Sequence, residues 1–404
     1  CVSVPRDAGV DDVKRAIAER ANHDLQSADD AVAIAIERNP RLQATLAELG
    51  VARADLLDAS TVRNPLFEAE IRFPGDPHRP YELRVAQTLV DLIQLRRRRA
   101  AGRIAFDASK LRVTSEVLRF GADVRAHYFD VIAATQHAAM SRTNFESAQA
   151  ATELAQRQHD VENITDLDLE NEQAQYEQAK LDLARAEQRL IIAREMLVRD
   201  LNTTELSIAD AFPELPQAEF DAQQLEQLAS TRRLDIDLAR RDVELAQRQI
   251  PLARLAALGE LEADAHYERE PSGERTFGPG IVVPVPIFNR GEAARSRAEA
   301  QWLRAKHTLD ALLAESASRL RTAKATVAEA RARVEYYRDV VLPRRKRIVE
   351  LTQREHNAML VGVFQLLAAK QNEAQAQRDS VDAQRDYWIA KNDLERVVNG
   401  VGGE

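Results

Sequence analysis

A chain of 404 residues, 30% charged and 45% hydrophobic with a formal charge of −9, is long enough for two or three ordinary domains. Aromatics are only 5% and Gly and Pro number 14 each, while Ala, Leu, Glu, Arg and Gln dominate, a composition typical of long coiled-coil helices. Mild acidity argues against nucleic acid as the main partner, and no apolar run reaches the roughly 18 residues of a transmembrane helix, so any membrane crossing would need a closed β-barrel.

The single cysteine is residue 1. One thiol excludes an intramolecular disulfide, and a chain that opens on Cys rather than Met reads as a processed precursor. Cys1 matches the acylated first residue of a mature bacterial lipoprotein, so a covalent lipid is expected there and no other cofactor. With Val2 rather than Asp behind it, general resemblance to sorted lipoproteins favours the outer membrane. An arbitrary boundary that happens to fall on Cys is the plainer alternative.

Residues 1–28 are weakly patterned, with a short helix expected around Val10–Asn22, and read as a tether. A first repeat spans 29–202. Ser27 is placed to cap a helix whose first turn carries Asp29 and Asp30. That helix is interrupted at Asn39-Pro40, continues through Leu42, Leu46 and Leu49, and stops before Asn64-Pro65.

A β-hairpin is expected over about 64–90. Phe67, Ala69, Ile71 and Phe73 alternate with Glu68, Glu70 and Arg72; Tyr81, Leu83 and Val85 alternate with Glu82 and Arg84. The period is two on both arms, with one apolar and one charged face. Pro74-Gly75-Asp76-Pro77 supplies the turn.

From Asp91 to about Asp160 the pattern is helical, and at 1.5 Å per residue such a helix is ~100 Å long. A turn follows at about 161–166, where Thr165 can cap the next helix. There Leu169, Tyr176, Leu183, Leu190 and Leu197 repeat every seven residues beside a row of Ala179, Ala186 and Ala193. Sustained heptads demand supercoiling partners.

A Pro-bearing linker, 203–221, leads to a second repeat over 222–400, before a tail of 401–404. Arg41-Leu42, Leu46-Ala47, Val51 and Ala54 recur as Arg233-Leu234, Leu238-Ala239, Val243 and Ala246, 192 residues later. A second hairpin is expected over about 258–288: a strand from Leu258 to Arg269, a turn at Glu270–Gly273, and an extended run Gly278–Gly291, the most apolar in the chain. Ala294–His356 reads as a long helix with Pro343 as its only breaker, and a second turn at about 357–363 matches the first. Ala174-Gln175, Asp182, Arg185 and Val198 return as Ala374-Gln375, Asp382, Arg385 and Val398. The chain is internally duplicated.

Four stretches carry a resemblance: Ala35-Ile36-Glu37-Arg38-Asn39-Pro40-Arg41-Leu42, Arg63-Asn64-Pro65, Asn163-Ile164-Thr165-Asp166-Leu167-Asp168-Leu169, and Val283-Pro284-Val285-Pro286-Ile287-Phe288-Asn289-Arg290-Gly291. In their order, spacing and duplication the chain resembles the TolC-type outer-membrane efflux factors over nearly its full length. Within them it looks most like the lipoprotein members associated with heavy-metal RND pumps. The resemblance implies a mostly α fold with a small β part: a homotrimer with a periplasmic α-barrel of long coiled-coil helices, topped by a twelve-stranded transmembrane β-barrel to which each chain gives four strands. It also implies a periplasmic adaptor (membrane fusion) protein and an inner-membrane RND-type pump as partners, and outer-membrane lipid around the barrel. The residues support this independently, because four strands cannot enclose a lumen and about eight is the smallest packed barrel.

On that reading Phe67, Ala69, Ile71, Phe73, Tyr81, Leu83, Val85, Leu261, Ala263, Ala265, Tyr267, Ile281 and Val283 face lipid. Glu68, Glu70, Arg72, Glu82, Arg84, Glu260, Glu262, Asp264, His266 and Glu268 line the channel, and seven of these ten are acids. A cation-preferring mouth follows; a merely wetted polar face is the plainer reading of the same pattern. His266 among acids invites a metal reading, against which stands a passive lumen histidine. The resemblance also places a periplasmic gate and adaptor contact at the two turns, on Asn163, Thr165, Asp166 and Asp168 and on Gly362, Phe364 and Leu367. Where some members carry aspartates, Phe364 and Leu367 are apolar and suggest a hydrophobic constriction. Asp166 is also an ordinary N-terminal helix acid. Arg96–Arg99 suits anionic headgroups, neighbouring acids or plain solvation. No Walker loop, paired metal-ligand motif or nucleophilic triad is recognisable. The expected protein is a non-enzymatic duct energised by a partner; a soluble periplasmic coiled-coil scaffold or adaptor is the competing reading.

Overall fold

The computed structural model describes residues 27–71, 73, 80–204, 206–217, 222–255, 259, 261–270, 272–285, 287–288 and 290–401. Cys1, the Val10–Asn22 segment, the first hairpin's turn, Arg72 and Glu260 lie outside them. In chain order the elements are α1 (Ala28–Arg38), α2 (Pro40–Ser60), β1 (Leu66–Ile71), β2 (Tyr81–Thr88), α3 (Leu89–Asp160) and α4 (Asp166–Leu201). There follow α5 (Ala222–Arg232), α6 (Leu234–Leu255), β3 (Glu262–Arg269), β4 (Arg275–Val282), α7 (Glu292–Tyr336), a π turn (Tyr337–Val341), α8 (Leu342–Asn357) and α9 (Val363–Asn399). The fold is mostly helical with one small antiparallel sheet.

The elements gather into two compact units, each drawing on both repeats. One comprises the described residues through Ala44, Glu116–Arg233 and those from Ala317 onward; its core lies in two clusters. In the first, Val32, Ile34 and Ala35 of α1 meet Val124, Tyr128 and Ile132 of α3 and Leu197 and Leu201 of α4. In the second, Leu225 of α5 joins Val327, Ala330 and Val334 of α7 and Tyr387, Leu394 and Val398 of α9. The predicted heptads of α4 point inward as far as one chain allows: Leu169 and Leu197 are buried, as are Ala179 and Ala186. Ile191, 62% exposed, and Leu181 are apolar residues of α4 left uncovered within the chain.

The other unit comprises Thr45–Ser115 and Leu234–Ser316 and contains the sheet, in strand order β1-β2-β3-β4. Both hairpins are present, but the second is shifted. β3 begins at Glu262 rather than Leu258, and β4 runs Arg275–Val282 rather than starting at Gly278. The tight turn sets this register. Gly273 takes a left-handed φ of 86°, its N–H donates to the Glu270 carbonyl, and Glu270 N–H donates to Glu274 O. Leu261 and Val283, expected on the lipid face, therefore stand just outside the strands. Beyond Val282, Pro284 and Pro286 lack the N–H a ladder needs.

The expected single helix over Ala294–His356 is α7, the π turn and α8. Pro343 does not break it. The proline ring crowds the carbonyl four residues back, at Asp339, and the chain answers by widening one turn, so that Leu342 N–H donates to Tyr337 O.

The duplication is visible in how helices end. Glu162 and Met359, both non-glycine, take left-handed φ of 57° and 59°. Asn163 N–H donates to Gln158 O and Leu360 N–H to Glu355 O, closing α3 and α8 alike. Asn202 and Gly400 then end α4 and α9 in left-handed conformation.

Candidate functional site

Alternate residues of a strand face opposite sides, so the register sorts the sheet into two faces. One carries the rows Glu68–Arg84–His266–Gly278, Glu70–Glu82–Glu268–Thr276 and Leu66–Ala86–Asp264–Gly280, with Glu262 paired to Thr88 and Val282. The other carries Phe67–Val85–Ala265–Pro279, Ala69–Leu83–Tyr267–Phe277 and Ile71–Tyr81–Arg269–Arg275. Eight of the ten residues singled out from the sequence thus share one face; Arg72 and Glu260 lie outside the described residues.

On the polar face six carboxylates (Glu68, Glu70, Glu82, Glu262, Asp264, Glu268) surround one guanidinium. Arg84 reaches Glu68 Oε2 at 3.6 Å, Glu262 Oε2 at 3.6 Å and Asp264 Oδ2 at 3.7 Å. His266 Nδ1 stands 3.8 Å from Asp264 Oδ2. Six acids against one arginine leave a strong negative surplus on this face. The opposite face exposes Phe67, Ile71, Phe277 and Ile281, with Phe277 71% accessible. Tyr81 and Tyr267 pair there with ring centroids 5.9 Å apart.

At the sheet's base, Arg63 before β1 grips Asp91 after β2. Its Nε donates to Asp91 Oδ2 at 2.6 Å and its Nη2 to Oδ1 at 3.1 Å. The hydrogen bonds from Arg63 hold the Asp91 carboxyl below its usual range, against the opposing effect of burial. Arg98 adds Nη1 to Asp91 Oδ1 at 3.4 Å and an ion pair to Asp58. Of the four-arginine run, Arg98 is therefore bound inward while Arg96, Arg97 and Arg99 are exposed.

The two turns are built differently on top of their shared backbone. Thr165 Oγ1 accepts from Asp168 N–H while Asp168 Oδ2 accepts from Thr165 N–H, so the Asp168 carboxylate holds its own helix end. Asp166 Oδ1 lies 2.7 Å from His159 Nε2. Asn163 stays exposed. Gly362 caps α9 with no side-chain bond, Phe364 is exposed and Leu367 half-buried, while Leu366 is buried. Val161, Leu167, Met359 and Leu360 add bare apolar surface, Met359 being 94% exposed.

Among the described residues no group of three or more His, Cys, Asp or Glu is arranged to hold a metal ion, and no helix is long and apolar enough to cross a membrane. Sequence reasoning missed Thr276 on the polar face because it placed β4 three residues late, and it assigned Gly278 and Gly280, inside the expected strand, to neither face. The glycines flanking Pro279 were the available signal, since glycine inside a strand marks a close approach.

Residues 225–400 match the family model described as outer membrane efflux protein. No curated relative matches. Solved structures match over nearly the whole chain. CusC, described for the conformational changes that accompany its folding and transmembrane channel formation, is 16% identical, covers 98% of this chain with 96% of its own, and has a TM-score of 0.73. A membrane protein from Pseudomonas aeruginosa is 20% identical over 92% of this chain and 90% of its own, with a TM-score of 0.77. The MtrE outer membrane channel of Neisseria gonorrhoeae, in its open state, is 17% identical over 92% of this chain and 89% of its own, with a TM-score of 0.73. At such identities the likeness speaks for the fold.

Proposed function

We propose that this chain, a TolC-type outer-membrane efflux factor by its family match over residues 225–400 and by its fold, is the passive exit duct of a tripartite efflux pump. The carrying observation is the four-stranded sheet with two opposite faces and two edges unpaired among the described residues, one face apolar and exposed, the other acidic. A soluble β-domain would cover its apolar face with another apolar face. Lipid covers this one, and strand edges left open by one chain pair with those of further copies. Three copies give twelve strands, enough to enclose a lumen. The uncovered apolar positions of α4 find partners in the same assembly.

The acidic face then lines the outer part of the bore and favours cations, metal cations among the cargo it suits. The turns at 161–166 and 357–363, with their bare apolar residues, form the periplasmic end, which closes the duct and meets the adaptor protein joined to an RND-type inner-membrane pump. The chain supplies the passage and its partners the energy.

Purified protein in planar bilayers, under a salt gradient, tests this. Discrete conductance steps with a cation-selective reversal potential are expected. Absence of steps, in protein that stays soluble without detergent, would return the reading to a periplasmic scaffold.

A further inference from the structure

On the polar face, β4 has no side chain opposite two of the polar residues of β3. Gly278 stands across from His266 and Gly280 across from Asp264. A Cβ at Gly278 would lie 2.7 Å from His266 Cε1 and 2.8 Å from Nε2; one at Gly280 would lie 2.5 and 2.8 Å from the two Asp264 carboxylate oxygens. Both side chains therefore lean off β3 and rest on the bare backbone of β4. Neither glycine takes left-handed backbone, so what the missing Cβ provides is room, not conformational freedom. Pro279 between them points to the other face, in the row of Val85 and Ala265.

Asp264 shows the result: its side chain is 9% exposed, under Arg84 and beside His266. Because β4 is an edge of the meander and β1 the other, side chains that lean onto β4 lean toward the seam with a second copy. The β1 strand carries Glu68 and Glu70 on the same face.

We propose that Gly278 and Gly280 are the positions that set the bore and the charge profile of the outer barrel. By laying His266 and Asp264 flat along the wall at the seam, they keep an imidazole and a carboxylate out of the open lumen. This rests on the duct reading above. Upright, either group would narrow the passage; flat, they contribute field without obstruction.

Gly278→Val suits an extended strand and forces the His266 ring off it. Unitary conductance is expected to fall in Gly278→Val and to recover when His266→Ala is added. Gly280→Val, which lifts Asp264 into the bore, is expected to shift the reversal potential toward the cation limit. Unchanged conductance in Gly278→Val, or a loss that His266→Ala fails to relieve, would overturn the proposal while leaving the duct intact. Should the native protein not conduct at all, the duct reading falls first. The packing is then read separately, from the rate at which diethyl pyrocarbonate modifies His266 in detergent, followed by peptide mass spectrometry. Faster modification in Gly278→Ala than in the native chain supports the seat; equal rates overturn it.

Discussion

His127 Nδ1 lies 2.6 Å from Asp200 Oδ2, so α3 holds the last turn of α4 at the rim of the core formed by Val124, Tyr128, Leu197 and Leu201. The Asp200 backbone is held from the other side, where Asn39 Nδ2 donates to its carbonyl at 2.9 Å. The hydrogen bond to Asp200, with the nearby Asp130 and Asp123 charges, raises the His127 pKa above its ordinary 6.5 despite opposing burial. A histidine whose folded pKa is raised contributes stability that is complete below the unfolded value and fades as pH rises through the folded one. His127→Gln should therefore cost about 1–2 kcal/mol near pH 6 and less near pH 9. Thermal unfolding in detergent at both pH values checks this; an equal cost at both would mean that the imidazole is held by packing alone.

The Arg63–Asp91–Arg98 cluster behaves in the opposite sense. Asp91 is 7% exposed at its side chain and its pKa is depressed, first by hydrogen bonding from Arg63. Its contribution is present above the ordinary 3.8 and is lost as pH falls through the folded value. Asp91→Asn leaves two guanidinium groups facing a neutral amide and should cost about 2 kcal/mol at neutral pH. Because the pair joins the segments on either side of the first hairpin, fraying of β1 should accompany the loss. Hydrogen exchange at Phe67–Ile71 reads it: protection unchanged from the native chain would separate the cluster from the hairpin.

Gly102 sits where α3 passes close against α2. A Cβ there would stand 2.9 Å from Ala59 Cβ and 3.3 Å from Leu56 Cδ1. The first neighbour is a short, stiff group that cannot swing away, so the helices must separate. Gly102→Val should destabilise by about 1–3 kcal/mol through overpacking, although valine is the better helix former. Gly50, with nothing within 4 Å, is the matching control, and Gly50→Ala should gain up to about 1 kcal/mol. Denaturant midpoints of the two variants should move in opposite directions.

Much of this was legible locally. Alternation in Phe67–Ile71 and Tyr81–Val85 gave the two faces of the sheet, and the heptads of α4 gave its buried edge, because period and burial are directly coupled. Three things were not. The start of β4 at Arg275 depends on the turn geometry at Gly273, and the apolar run to Gly291 pulled the expected strand toward residues whose prolines cannot pair. The π turn is a helix's answer to Pro343, when a sequence pattern offers only continuation or a break. The pairing of β2 with β3 joins residues far apart in the chain, which no local signal encodes; the resemblance implied four strands per chain but not their order. Near Thr165, the sequence reads Asp166 as a gate acid or as an ordinary helix-start acid, and it gives no sign that Asp168 caps its own helix.

The turn before α9 carries the remaining prediction. α9 opens at Val363 without a side-chain cap, and Leu366 in its first turns is 7% exposed. Phe364 and Leu367, three residues apart and so on one side of the helix, are exposed and half-buried respectively. On the proposed duct reading they meet their counterparts in further copies, where an apolar ring formed by them would close the passage by excluding water. If the duct reading holds, Phe364→Ala, which removes bulk, and Leu367→Asp, which wets the constriction, should each raise the resting conductance of the purified protein. Thermal midpoints should stay near native, since neither side chain is fully buried. Leu366→Ala, by contrast, should lower the midpoint, a cost of about 2–5 kcal/mol. If both outward variants conduct like the native protein, the closure lies elsewhere, and Met359 and Leu360 on the preceding turn become the residues to change.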